Sequence, residues 1–276
     1  MTIYTESTAR RDAGISRPAR WTGRVLSGLV IVFLLFDGAI KLVPWPIVTE
    51  TMDRMGYGSS ETLARSLGII TIVCTVLYSV PPTSILGAIL LTGYLGGAMA
   101  SHVRIGSPLF THTLFGLYLG LMVWGGLWLR DPALRALLPL KKSVTTKAAG
   151  LLPAETFLYW ASTIFFVGFI IADTLVKLAH WQVVEDIMTH LGYGPEAGVR
   201  ISIMETVFLI LYLVPRTSML GAVLFTAMFG GAMVSHMRLD APLFSHTLFG
   251  AYLGLFMWGG LWLRDPKLRE LFPWRR

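Results

Sequence analysis

The chain has one cysteine, Cys74. An internal disulfide is therefore excluded, and so is CxxC-type thiol redox chemistry. Charge is also scarce, with Asp, Glu, Lys and Arg making up 14 % of 276 residues. Nothing in the chain reads as a phosphate-cradling glycine loop, a serine or cysteine triad, or an HExxH zinc helix. If this protein handles electrons, a bound cofactor must carry them.

Apolar residues are what is abundant, at 54 % of the chain with a mean hydropathy of +0.63. A chain of that composition has lipid as its main solvent. The net charge of +7 is distributed in a way that argues against nucleic acid. Basic residues gather at three junctions: Arg10, Arg11, Arg17, Arg20 and Arg24; Arg130, Arg135, Lys141, Lys142 and Lys147; and Arg264, Lys267, Arg269, Arg275 and Arg276. Four spans between successive clusters put all three on one face. The positive-inside rule makes that face cytoplasmic, with both termini on it. Arg10-Arg11 is not followed by a short apolar region with a cleavage site, so no cleaved signal is expected.

The chain is an internal duplication. Gly96 to Pro139 returns 134 residues later as Gly230 to Pro273, with 32 of 44 positions identical. At an offset of 136, Asp37, Lys41, Trp45 and Gly56-Tyr57-Gly58 return as Asp173, Lys177, Trp181 and Gly192-Tyr193-Gly194. The expected organisation is a basic tail over 1–20, a first four-helix repeat over 21–140, a linker over 141–156 and a second repeat over 157–274. The fold class expected is an all-α integral membrane protein, with eight transmembrane helices as two parallel-repeat four-helix bundles. Spans are read at 21–43, 62–80, 83–103 and 109–129, then at 157–178, 198–214, 217–237 and 243–263. A short interfacial amphipathic helix is read within 44–60. An even number of spans per repeat orients both repeats alike, about a pseudo-two-fold along the membrane normal.

This topology would bring Asp37, Lys41, His102, Arg104 and His112 to one end of the first repeat. Asp173, Lys177, His236, Arg238 and His246 would occupy the same end of the second. An ionisable residue within a span costs about 2.5–3.5 kcal/mol and is functional by default. Asp37 and Lys41, four residues apart on one helix face, also satisfy each other as a structural ion pair. The histidines bind metal or haem iron, or else tie the loop to the helix ends. No third ligand lies nearby in sequence, and no metal is assigned. The arginines read as interfacial residues or as a clamp on an anionic or carbonyl-bearing ligand. Glu205 stands where the first repeat has Thr71. This asymmetry makes it the candidate for a specialised acid–base role, with an interhelical hydrogen bond as the plain alternative. His180 and His190 fall outside the repeated pattern and read as surface residues.

The run from Gly87-Ala88 through Gly96-Gly97-Ala98, Ser101-His102-Val103-Arg104, Pro108-Leu109-Phe110, His112-Thr113-Leu114-Phe115 and Trp124-Gly125-Gly126 resembles the DoxX-like family of small four-helix membrane proteins. The second copy fits through Gly221-Ala222, Gly230-Gly231, His236, Arg238, His246 and Trp258. The resemblance implies a tandem fusion of a domain more often found singly. It also implies a redox-associated or quinone-linked inner-membrane subunit, since the family takes its name from a subunit of a thiosulfate:quinone oxidoreductase. Quinone or haem is the cofactor implied, and other membrane redox subunits the partners. If the chain belongs to an enzyme, the resemblance favours an oxidoreductase subunit over a stand-alone catalyst. Distant relatives include cargo receptors and sterol isomerases, so fold does not fix function. A transporter or lipophilic-ligand carrier, a membrane isomerase or cyclase, and a non-catalytic scaffold are the alternatives.

Overall fold

A computed structural model describes residues 15–43, 45–141 and 151–275. Most of the tail read at 1–20 and much of the linker lie outside the described residues, as does the end of the first basic cluster at Arg10 and Arg11. Among the described residues every regular element is helical. In chain order these are α1 (Arg17–Leu42), α2 (Pro46–Arg54), α3 (Glu61–Ser79), α4 (Ser84–Arg104), α5 (Phe115–Arg130), α6 (Pro132–Arg135), α7 (Pro153–Leu178), α8 (Gln182–His190), α9 (Ala197–Leu213), α10 (Ser218–Arg238), α11 (Phe249–Arg264) and α12 (Pro266–Leu271).

The starts and stops follow local chemistry. Ser16 and Ser60 accept the Ala19 and Leu63 amides and so cap α1 and α3. Prolines 81 and 82 end α3 and turn the chain through one 3₁₀ turn into α4. The short helices α2 and α8 are amphipathic: Val48 and Met52 in the first, and Val184 and Met188 in the second, are the buried side.

Among the described residues, six segments are long and apolar enough to cross a membrane: Arg17–Leu42, Glu61–Ser79, Pro81–Arg104, Leu109–Arg130, Pro153–Leu178 and Ser218–Arg238. Of the two remaining expected spans, α9 has 17 residues, and α11 follows the π-helical turn Leu243–Thr247 just as α5 follows Leu109–Thr113. At 1.5 Å per residue α9 reaches about 26 Å, against a hydrocarbon core of roughly 30 Å. The long helices turn large apolar side chains outward: Val32, Phe157 and Leu255 are 70 %, 71 % and 72 % exposed. Water would not tolerate such surfaces, whereas lipid matches them. The protein is a multi-pass, membrane-embedded helical protein.

Packing divides the chain into two compact units. One comprises 1–91, 117–143 and 270–276, and the other 92–116 and 144–269. In the first, the Tyr78 hydroxyl of α3 lies 2.8 Å from Ser27 Oγ of α1 and donates to the Val123 carbonyl of α5 at 2.9 Å. One buried side chain thus ties three helices together. Asp131 accepts the Ala133 and Leu134 amides at the start of α6. It also accepts both guanidinium nitrogens of Arg275, at 2.7 and 2.9 Å. The Arg275 amide donates to the Pro82 carbonyl at 2.8 Å.

The second unit is built on aromatic packing. The Phe166 ring meets those of Tyr212 and Phe225 edge-on, with centroids 5.1 and 5.3 Å apart. The Tyr212 hydroxyl donates to the Met257 carbonyl, as Tyr78 does to Val123 in the first repeat. Where α4 crosses α10 the backbones touch. A Cβ on Gly96 would lie 2.1 Å from the Ala227 oxygen, and one on Gly230 would lie 1.9 Å from the Gly93 oxygen. Only glycine fits at these two positions, and small residues are what lets membrane helices approach so closely.

Candidate functional site

Each repeat begins with a long helix that ends in an acid–lysine pair. Lys41 bonds Asp37 near the end of α1, and Lys177 bonds Asp173 near the end of α7. Spacing of four residues stacks each pair on one helix face, as expected. In the second repeat the pair has a third member. Lys177 Nζ lies 2.6 Å from Glu205 Oε1 on α9, and the Thr174 hydroxyl donates to Glu205 Oε2 at 3.0 Å. Both carboxylate oxygens are therefore held, in a residue only 1 % exposed. Burying a carboxylate is tolerable only when it is paired and hydrogen-bonded, and Glu205 is both. Two carboxyl groups share one ammonium. Asp173 is its open member, with 34 % of its side chain accessible against 11 % for Lys177.

The first repeat lacks this third member for a local reason. Thr71 replaces Glu205 and donates its hydroxyl to Leu67 of its own helix at 2.8 Å. Gly38 replaces Thr174, and there α1 and α3 close up: a Cβ on Gly38 would lie 2.6 Å from Ile72 Cγ1 and 3.2 Å from the Gly68 oxygen. The two repeats thus differ at a pair of facing positions, glycine and threonine in one, threonine and glutamate in the other.

The histidines form pairs as well. The rings of His102 and His112 lie 5.6 Å apart between centroids at 63°, and those of His236 and His246 lie 5.8 Å apart at 64°. Each pair depends on a π-helical turn, Leu109–Thr113 or Leu243–Thr247, that begins the helical stretch leading into α5 or α11. The Leu114 amide reaches the Leu109 carbonyl and the Leu248 amide the Leu243 carbonyl, each at 2.8 Å. The threonine ending each turn donates back to the loop, Thr113 to the Ser107 carbonyl and Thr247 to the Ala241 carbonyl, both at 3.2 Å. Widened turns of this kind recur at functional sites, where they re-aim a side chain. Hydroxyls meet the Nδ1 atoms: Ser107 at His102 (3.0 Å), Thr111 at His112 (2.8 Å) and Ser245 at His246 (2.8 Å). Ala241 replaces Ser107 beside His236. Among the described residues, no group of three or more His, Cys, Asp or Glu side chains is gathered to hold a metal.

The arginines face elsewhere. Arg238 Nη2 points to the His190 carbonyl at 3.5 Å. A Cβ on Gly192 would lie 3.2 Å from Arg104 Cδ and 3.3 Å from Arg238 Nη2. Beside it, the Tyr193 hydroxyl donates to the Ala100 carbonyl at 3.3 Å and meets Ser235 Oγ at 2.9 Å. His180 and His190 are exposed, as their position outside the repeat suggests. Among the described residues of the second repeat, hydrogen bonds join Asp173, Lys177, Thr174 and Glu205 to one another and His246 to Ser245, with none between the two groups. That repeat thus shows an acid–lysine triad and a histidine pair.

The DoxX-like family model matches two regions, residues 25–126 and 161–260, which together cover well over half of the chain. The chain belongs to the DoxX-like family. Two matches in tandem agree with the internal duplication, one DoxX-like domain per repeat. No curated protein and no solved structure matches the chain.

Thr174 and the π-helical turns were missed in the sequence. The signal for Thr174 was present: it is a second polar gain in the repeat that carries Glu205, at a position where the other repeat has Gly38. The π-helical turns left no such trace, because Pro108-Leu109-Phe110 reads equally well as the start of an ordinary helix.

Proposed function

We propose that this DoxX-like protein is a redox-associated, quinone-linked subunit of the inner membrane. In this reading it spans the bilayer eight times as two parallel four-helix repeats, over 21–140 and 157–274, with both termini cytoplasmic. Polar pockets then open toward the extracytoplasmic side. The second repeat is the working one, and the observation that carries the reading is the buried Glu205 held by Lys177 and Thr174.

The donor set fits a quinone. An ammonium, a hydroxyl and a carboxylate at low exposure are groups that hold a carbonyl oxygen and move a proton. A bound quinone supplies two-electron, two-proton chemistry that this chain's own side chains lack. Lys177 would hold the carbonyl oxygen, Glu205 would accept or return a proton, and Asp173 would orient Lys177 and exchange with solvent. His236 and His246 would line the approach, with Arg238 turned toward Gly192 and the His190 carbonyl. Asp37, Lys41, His102, Arg104 and His112 form the first repeat's counterpart, which has no buried carboxylate.

The test is a titration of the protein in nanodiscs with short-chain ubiquinone and menaquinone analogues, followed by intrinsic tryptophan fluorescence. Wild type is expected to saturate, and Glu205→Gln to bind at least tenfold more weakly, about 1.4 kcal/mol. Thr71→Gln, at the same position in the first repeat, controls for general disturbance and should leave binding intact. Absence of saturable binding in wild type, or unchanged affinity in Glu205→Gln, overturns the reading.

A further inference from the structure

We propose that each histidine pair is a binding site for one divalent transition-metal ion of the copper, nickel and zinc group. His102 with His112 would hold one ion and His236 with His246 a second. Solvent would complete each coordination shell.

The ring geometry comes close to what a shared ion needs. Metal–nitrogen bonds of about 2.0–2.1 Å at a tetrahedral ion put two imidazole centroids roughly 5 Å apart. The observed separations are 5.6 and 5.8 Å, with nearly equal interplanar angles of 63° and 64°. Two sites that differ in their loops, Ile105-Gly106-Ser107 in one and Leu239-Asp240-Ala241 in the other, reach this same arrangement.

The hydrogen bonds point the same way. At His102, His112 and His246 a hydroxyl meets Nδ1. In the tautomer that donates Nδ1–H to this hydroxyl, the histidine presents its Nε2 lone pair, the usual state of a ligating imidazole. The hydroxyl beside the exposed histidine survives as Thr111 in one repeat and Ser245 in the other. Imidazole is a ligand that copper, nickel and zinc share.

Two further features favour a cation. Arg104 and Arg238 stand two residues beyond His102 and His236, which turns them about 200° round the helix axis. Their side chains accordingly lie by Gly192, and Arg238 reaches the His190 carbonyl. His112 and His246 are exposed, so an ion and its waters have access. The π-helical turns that bring the rings together are held by backbone and threonine bonds rather than by the histidines, so the pairing exists before any ion arrives. This proposal does not depend on the quinone reading.

The experiment is a Cu(II) titration of tag-free protein in detergent, read by electron paramagnetic resonance and by equilibrium dialysis. The expected result is two ions per chain, with superhyperfine splitting from two imidazole nitrogens. His102→Ala and His236→Ala should each reduce one site to single-nitrogen coordination, and the double variant both. His112→Asn and His246→Asn, made on the exposed side where folding is least at risk, should reduce the spectrum to one coordinated nitrogen. A His180→Gln, His190→Gln variant should keep both ions. Wild-type copper seen only with single-nitrogen coordination, or two-nitrogen copper that persists in the His112, His246 double variant, overturns the proposal. No quinone is present in this titration, so its failure is distinct from a failure of the Glu205→Gln experiment.

Discussion

Thr174 gives its hydroxyl to Glu205 across 3.0 Å, and the first repeat has Gly38 and Thr71 in those two places. A buried carboxylate and the donor that satisfies it therefore occur together in one copy and are both missing from the other. Duplication alone keeps two copies alike, and this pair of differences is what distinguishes them.

Removing the lysine should show the asymmetry directly. Lys41→Met takes the ammonium from one carboxylate, Asp37. Lys177→Met takes it from two, Asp173 and Glu205, the latter fully buried. Breaking a buried pair by removing one partner costs about 3–5 kcal/mol. Lys177→Met should fall in that range and Lys41→Met well below it, measured as unfolding in mixed micelles of rising SDS fraction. Equal losses would mean that Glu205 places no extra demand on Lys177.

Grafting the second repeat's pair into the first should fail at the glycine. Gly38→Thr puts a side chain 2.6 Å from Ile72 Cγ1 and against the Gly68 carbonyl. Overpacking of this kind costs about 1–3 kcal/mol. The same assay should show that loss for Gly38→Thr, and Ile72→Ala in the same chain should recover part of it.

The two buried tyrosines should not respond alike. Tyr78 links Ser27 to the Val123 carbonyl, whereas Tyr212 bonds the Met257 carbonyl and Thr163, in Ser27's place, has a buried hydroxyl with no partner among the described residues. Tyr78→Phe removes two hydrogen bonds and Tyr212→Phe one. A hydrogen bond contributes about 0.5–1.5 kcal/mol net, so thermal melts should rank Tyr78→Phe as the more damaging. The reverse order would count against this bond inventory.

Contact between α4 and α10 makes a ranking within one helix. Gly96→Ala must move the Ala227 carbonyl from 2.1 Å, while Gly97→Ala meets the Gly230 oxygen at 3.2 Å. Melting of the two variants should show the larger fall for Gly96→Ala, and Gly93→Ala, with its nearest neighbour at 3.7 Å, should be close to wild type.

Most of the helical layout was legible because hydropathy and proline stops fix it. Expected spans at 62–80 and 217–237 are found as Glu61–Ser79 and Ser218–Arg238. The acid–lysine pairs were legible too, since spacing of four residues is a property of one helix. What the sequence could not place was Glu205 against Lys177. That contact joins two helices, and its register depends on how closely α7 and α9 approach. The histidine pairs were legible as residues but not as geometry, because a π-helical turn adds a residue to the loop without changing the motif.

The pairing of Arg275 with Asp131 has a consequence for biogenesis. Residues 270–276 pack as part of the unit that otherwise contains 1–91 and 117–143. Asp131 therefore waits, uncompensated by Arg275, while 143 further residues are made. The ribosome can release α1 to α6 into the bilayer early, but that unit is completed only when residue 275 emerges. A chain stalled before that point would carry an unfinished first unit, open to capture by quality-control proteases.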